Sequence, residues 1–177
     1  MSDKILLLPG WMTGLKLYHE SENLSVQIGT FDASNNSNHI IGLSLGALSA
    51  LRDWDGKGKL ILVSPPLPRK NIFRWFLNWV KFISTEGLFF ERQKYSLNPF
   101  CYILEIVRCV KLLQLDFSQK LESIPKENLI MIRGKNDHFI CSDEAVQFMR
   151  AKGFSVIEVE NCGHNWCEEL EREVIKC

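Results

Sequence analysis

The chain has 177 residues, 46% of them hydrophobic, which suits one folded domain over residues 1–177 with a sizeable buried core. Its 21 basic and 21 acidic side chains cancel, so overall charge argues against nucleic acid or an anionic membrane as a partner and leaves only local preferences. No apolar stretch reaches the ~20 residues of a membrane helix, no leader pattern precedes the first strand-like run, and the cysteines at 101, 109, 141, 162, 167 and 177 are irregularly spaced, which together point to a cytoplasmic protein with reduced thiols.

In chain order, the first predicted element is an apolar strand, Ile5 to Leu8, which empties into Pro9, Gly10 and Trp11. Val26 to Gly29 carries a weaker strand pattern. Ile40 to Leu43 is a second buried strand, with a helix predicted over Ala47 to Trp54, and Leu60 to Val63 is a third. From Leu67 to about Lys120 the rhythm breaks, because the segment is too long for a single crossover and rich in Phe, Trp, Leu, Lys and Arg. It reads as a helical insertion: Phe73, Trp75, Phe76, Trp79, Val80, Phe82 and Ile83 form a broad apolar stripe, and Pro99 starts a second helix running towards Leu115. Helices inserted near the carboxyl ends of strands are where a lid over a site would sit. Leu129 to Ile132 and Phe154 to Val159 complete the strands, with a helix at Ser142 to Lys152 between them. Continuous apolar strands alternating with helices predict an α/β fold, with a mainly parallel sheet of about six strands and helices on both faces.

Three segments carry chemistry. Gly42, Leu43, Ser44, Leu45, Gly46 matches GxSxG where a strand gives way to a helix, the context in which a serine hydroxyl projects from a sharp turn as a nucleophile. Asp137 stands in the turn after the strand ending at Ile132, and His164 in the glycine-containing loop after the last strand. Both therefore emerge at the same edge of the sheet as Ser44. A histidine there can take the serine proton and return it to a leaving group, and a carboxylate fixes the tautomer of the ring. The order Ser, Asp, His is the hydrolase order. An acyl transfer also needs donors for the oxyanion, and the backbone N–H groups of Trp11 and Leu45 are the candidates. Cys162, His164 and Cys167 form a cluster of metal-ligand types, but three ligands without a second pair fall short of zinc-finger spacing, so neither metal nor cofactor is expected.

At these elements the sequence resembles the α/β-hydrolase superfamily. Within it, the chain is similar to the pimeloyl-acyl-carrier-protein methyl ester esterases of biotin synthesis at Pro9, Gly10, Trp11, at Gly42 to Gly46, at Gly134 and Asp137, and at Gly163 and His164. The resemblance implies a serine carboxylesterase that removes a methyl group, with a helical lid over 67–120. Many of those relatives have histidine where this chain has Pro9, and most begin with a strand hairpin for which there is no room before Lys4. An esterase or thioesterase for another small acyl group would use the same residues, and a catalytically silent binding protein would have no need of all three.

Charge points to a partner. Between Leu67 and Lys120 stand Arg69, Lys70, Arg74, Lys81, Arg92, Lys94, Arg108, Lys111 and Lys120 against Glu86, Glu91, Glu105 and Asp116. A neutral chain thus concentrates positive charge in the insertion, the polarity that attracts an acidic acyl-carrier protein, with Arg69, Lys70 and Arg74 as candidate docking residues.

Overall fold

A computed structural model of the chain describes residues 5–10, 24–26, 39–68, 71–87 and 99–177. The strands are β1 (Ile5–Leu8), β2 (Leu24–Val26), β3 (His39–Leu43), β4 (Lys59–Val63), β5 (Leu129–Gly134) and β6 (Ser155–Val159). They join in the order β2-β1-β3-β4-β5-β6 with every pairing parallel, and β2 is a three-residue strand on the edge. The helices are α1 (Leu45–Asp53), α2 (Ile72–Glu86), α3 (Pro99–Gln114), α4 (Ser118–Ser123), α5 (Asp143–Ala151) and α6 (Glu168–Lys176).

The apolar runs of β1, β3, β4 and β5 form strands because both faces of a parallel sheet are covered, so most of their positions are buried, whereas the edge strand β6 is half-buried with Ser155 exposed. Alternate residues divide between two cores. Leu6, Leu8, Ile40, Leu60, Leu62, Leu129 and Met131 pack with residues of α1, α3, α4 and α5, whereas Leu7, Ile41, Leu43, Ile61, Val63 and Ile132 pack with Leu170 and Val174 of α6. Helix α1 is buried from Leu45 through Leu51, its small residues Gly46, Ala47, Ser49 and Ala50 interspersed with leucines, so it lies deep against the sheet. Truncating Leu48, which is fully buried in the first core, would cost about 2–5 kcal/mol.

The edges of the elements shift from the predicted ones where side chains alone decide. The second strand pattern, expected at Val26 to Gly29, occupies Leu24–Val26, and residues 27–29 lie outside the described ones. Helix α1 begins at Leu45, two residues earlier than its apolar spacing suggests, because the turn at Ser44 starts it directly. The two helices of the 67–120 segment behave differently. In α3, Cys109, Leu112 and Leu113 join the first core, so its C-terminal half packs inward beside α1. In α2 only Trp75 and Phe82 of the apolar stripe are buried, while Phe73, Phe76 and Val80 are exposed. Asn71 caps α2, its side chain accepting from the N–H groups of Phe73 (3.0 Å) and Arg74 (3.2 Å).

Candidate active site

Ser44 sits between β3 and α1 with φ 54° and ψ −120°, a left-handed conformation that costs a non-glycine residue about 1–3 kcal/mol and persists only where the surroundings dictate it. They do so through the backbone. The Ser44 N–H donates to the Val63 carbonyl at 2.8 Å and the Ala47 N–H to the Ser44 carbonyl at 3.0 Å. A Cβ on Gly42 would collide with the backbone of Gly46 and Ala47, and one on Gly46 with the carbonyl oxygens of Leu8 and Pro9. The two glycines of GxSxG are therefore demanded by the close approach of α1 to β3 at Gly42 and to the end of β1 at Gly46.

The turns after β5 and β6 are stitched together, with the Lys135 N–H donating to the Val159 carbonyl (2.9 Å) and the Asn136 N–H to the Cys162 carbonyl (2.8 Å). This brings Asp137 and His164 side by side. Asp137 is buried, and its Oδ1 accepts from the backbone N–H groups of Ile140 and Cys141, each at 3.1 Å. Its Oδ2 lies 2.5 Å from His164 Nδ1, and His164 Nε2 lies 2.9 Å from Ser44 Oγ. Burial pushes the Asp137 carboxyl upward, but the His164 ring and the two N–H donors outweigh it and hold the group below the ordinary range. An ionised carboxylate can only accept, so Nδ1 carries the proton and Nε2 is left to accept from the Ser44 hydroxyl. The arrangement is a hydrogen-bonded chain able to remove the proton from Ser44.

Supports that the sequence does not announce surround it. Glu86, the last residue of α2, accepts from the backbone N–H groups of His164 (2.7 Å) and Asn165 (3.4 Å) through Oε2. Burial raises the Glu86 carboxyl above its ordinary value, opposed by the His164 N–H and reinforced by the nearby Asp137 charge. Phe82, one turn earlier, sets its ring edge-on to the His164 ring with centroids 5.0 Å apart. Asn78, another turn back, donates from Nδ2 to the Phe139 carbonyl at 3.1 Å. One face of α2 thus touches the loops of both Asp137 and His164. From below, the buried Arg133 of β5 donates to the Cys141 carbonyl (2.7 Å), and it pairs with Glu158 (2.8 Å) and with Asp143. That guanidinium fixes the far end of the loop whose N–H groups hold Asp137. The i, i+4, i+8 spacing of Asn78, Phe82 and Glu86 was the available signal, but nothing local says what the face meets.

Leu45 opens α1, where N–H groups have no acceptor within the helix, so its N–H is available beside Ser44. Trp11, the other candidate donor, lies outside the described residues, as do Arg69 and Lys70. Arg74 is exposed on α2. Of the cysteine and histidine cluster, His164 is taken by Asp137 and Ser44, whereas Cys162 and Cys167 keep together.

No family model matches the chain, and no curated protein matches it in sequence. Solved structures do match in shape. A carboxylesterase from the thaumarchaeon Nitrososphaera gargenis superposes with a TM-score of 0.62 at 11% identity, covering 99% of this chain and 88% of that one. An esterase from Pyrococcus furiosus gives 0.57 at 16% identity, covering 99% and 80%. A carboxylesterase from Bacillus subtilis gives 0.54 at 15% identity, covering 98% and 81%. At such identities the likeness is one of architecture: the chain has the α/β-hydrolase fold of these esterases.

Proposed function

We propose that the chain is a serine carboxylesterase in which Ser44 is the nucleophile, His164 the general base and acid, and Asp137 the group that orients the ring. The observation carrying this reading is the chain from Asp137 Oδ2 to His164 Nδ1 (2.5 Å) and from His164 Nε2 to Ser44 Oγ (2.9 Å). As Ser44 Oγ bonds to the ester carbonyl carbon, its proton passes to His164 Nε2. The resulting oxyanion lies within reach of the Leu45 N–H, with the Trp11 N–H as the proposed second donor. Collapse breaks the bond to the alkoxy oxygen, which leaves with the proton from His164 as an alcohol. A water then gives its proton to His164 and attacks the acyl-serine, releasing the acid and restoring Ser44.

The proposed substrate is a methyl ester of an acyl chain carried on an acyl-carrier protein, pimeloyl being the chain implied by the likeness at Gly10, Trp11 and the short elbow. The basic balance of 67–120, to which exposed Arg74 contributes, supports an acidic carrier. A fluorophosphonate probe should label wild-type protein at Ser44 and leave Ser44→Ala unlabelled; labelling that survives the substitution removes the reading. Steering by charge weakens as the Debye length shrinks, so hydrolysis of a carrier-bound methyl ester should fall steeply with salt while that of a small free ester barely changes. Equal salt responses leave the esterase in place and remove the carrier.

A further inference from the structure

Cys162, Cys167 and Glu169 have no part in the proposed esterase chemistry, and they form the only such group of potential metal ligands among the described residues. Their Sγ, Sγ and carboxylate oxygen atoms all lie within 4.8 Å of one another, with Cys162 Sγ 3.9 Å from Glu169 Oε2. A tetrahedral zinc site with Zn–S bonds of ~2.3 Å has edges of about 3.8 Å, so the triangle already has the dimensions of one face of that tetrahedron to within about an ångström. Cys162 is buried, Cys167 half-buried and Glu169 exposed, so the fourth vertex opens towards water. The sequence pairs the two cysteines with His164, which leaves a ligand set that cannot close because that ring is committed elsewhere. Folding brings Glu169 instead, in the first turn of a helix that also carries Glu168 and Glu171 there. Arg172, the neighbouring cation, is engaged by Glu168 at 3.1 Å.

We propose that Cys162, Cys167 and Glu169 form a binding site for a thiophilic divalent cation, zinc being the natural occupant of two thiolates, one carboxylate and a water. Two metal–sulfur bonds and one metal–oxygen bond form as the two thiol protons leave to solvent, with no change of oxidation state. Cys162 and Cys167 stand on either side of His164 in the sequence, so the ion closes a ring around the loop that carries the base.

The test titrates the full-length, metal-free, reduced chain with Cd²⁺, reading thiolate-to-metal charge-transfer absorbance, and then displaces Cd²⁺ with Zn²⁺. One equivalent of Cd²⁺ should saturate the band, and Zn²⁺ should remove it. Cys167→Ser, at a half-buried position, and Cys162→Ser should each abolish the band. Glu169→Gln should weaken Zn²⁺ binding by about tenfold or more, since even loss of a group behind a ligand costs that much. His164→Ala, which disables the proposed esterase, should leave the band and the stoichiometry unchanged, so the two readings fail separately. No band in the wild-type chain, a band that survives Cys167→Ser, or one lost in His164→Ala overturns the site.

Discussion

The two halves of the candidate site are held by different means. Ser44 is fixed from the backbone: its N–H is tied to Val63, and two glycines let β1 and α1 close on it without side chains. His164 is held by side chains from elsewhere, with Glu86 on its N–H, Phe82 against its ring and Asp137 on Nδ1. A backbone constraint of the first kind is written in five consecutive residues. One of the second kind is assembled across 78 positions of chain, and its parts are interchangeable with other acceptors of similar reach. The Ser44 turn should therefore tolerate almost nothing, and the surroundings of His164 should be tunable.

Substitutions can break or sharpen that contrast. Ser44→Ala should lower kcat on any ester by about 10⁶, the cost of losing a nucleophile of this kind, with melting temperature maintained or raised because the hydroxyl is not needed for the fold. Asp137→Asn should lower kcat by about 10⁴ by favouring the wrong histidine tautomer; a rate within tenfold of wild type would move the acid elsewhere. Gly46→Ala should destabilise the fold by about 1–3 kcal/mol through the collision with Leu8 and Pro9, seen as a lower midpoint in urea. An unchanged midpoint would mean that the elbow is not closed by backbone contact. Glu86→Ala should lower kcat by about tenfold with little change in KM, the scale expected for leaving buried N–H groups without an acceptor. Glu86→Gln, which keeps an acceptor oxygen, should recover most of the loss, and a purely steric role for Glu86 would show no such recovery.

The smallest effects are in pH, and their signs differ between the two carboxylates. Asp137 is held below its unfolded value, so its contribution to stability is present above about pH 3.9 and is lost as pH falls through the folded value. Glu86 is raised, so the folded state holds its proton more tightly and stability declines as pH rises from about 4.3 through the folded value. Relative to wild type, Glu86→Gln should gain stability over that rise, whereas Asp137→Asn should be least sensitive to acid. Parallel curves for the two variants would mean that the two environments do not differ as described.

Much of the sheet was legible because a strand buried on both faces has to be apolar along its middle, as the runs Ile5–Leu8, Ile40–Leu43, Leu60–Val63 and Leu129–Ile132 are. The positions of Ser44, Asp137 and His164 followed from each standing just beyond a strand, since parallel strands end at one edge. Arg133 was not legible: a charged residue at the end of an apolar strand reads as a boundary, yet it is buried with Glu158 and the Cys141 carbonyl as partners that only folding supplies. Glu86 was counted among the charges of the insertion, because a carboxylate at a helix end looks solvated until the loop it meets is known. Helix α6 was missed altogether, its buried face consisting of Leu170 and Val174 in an otherwise charged segment.

The attachment of α2 has a mechanical meaning. Asn78, Phe82 and Glu86 bind it to the loops that carry Asp137 and His164, so a movement of α2 would be felt in both loops at once. An excursion of its C-terminal turn would sever the Glu86 bonds to His164 and Asn165 and release the loop that carries the ring. On the proposed esterase reading, turnover of an ester bulky enough to displace α2 would slow in viscous solvent, while that of a small ester would not register the change.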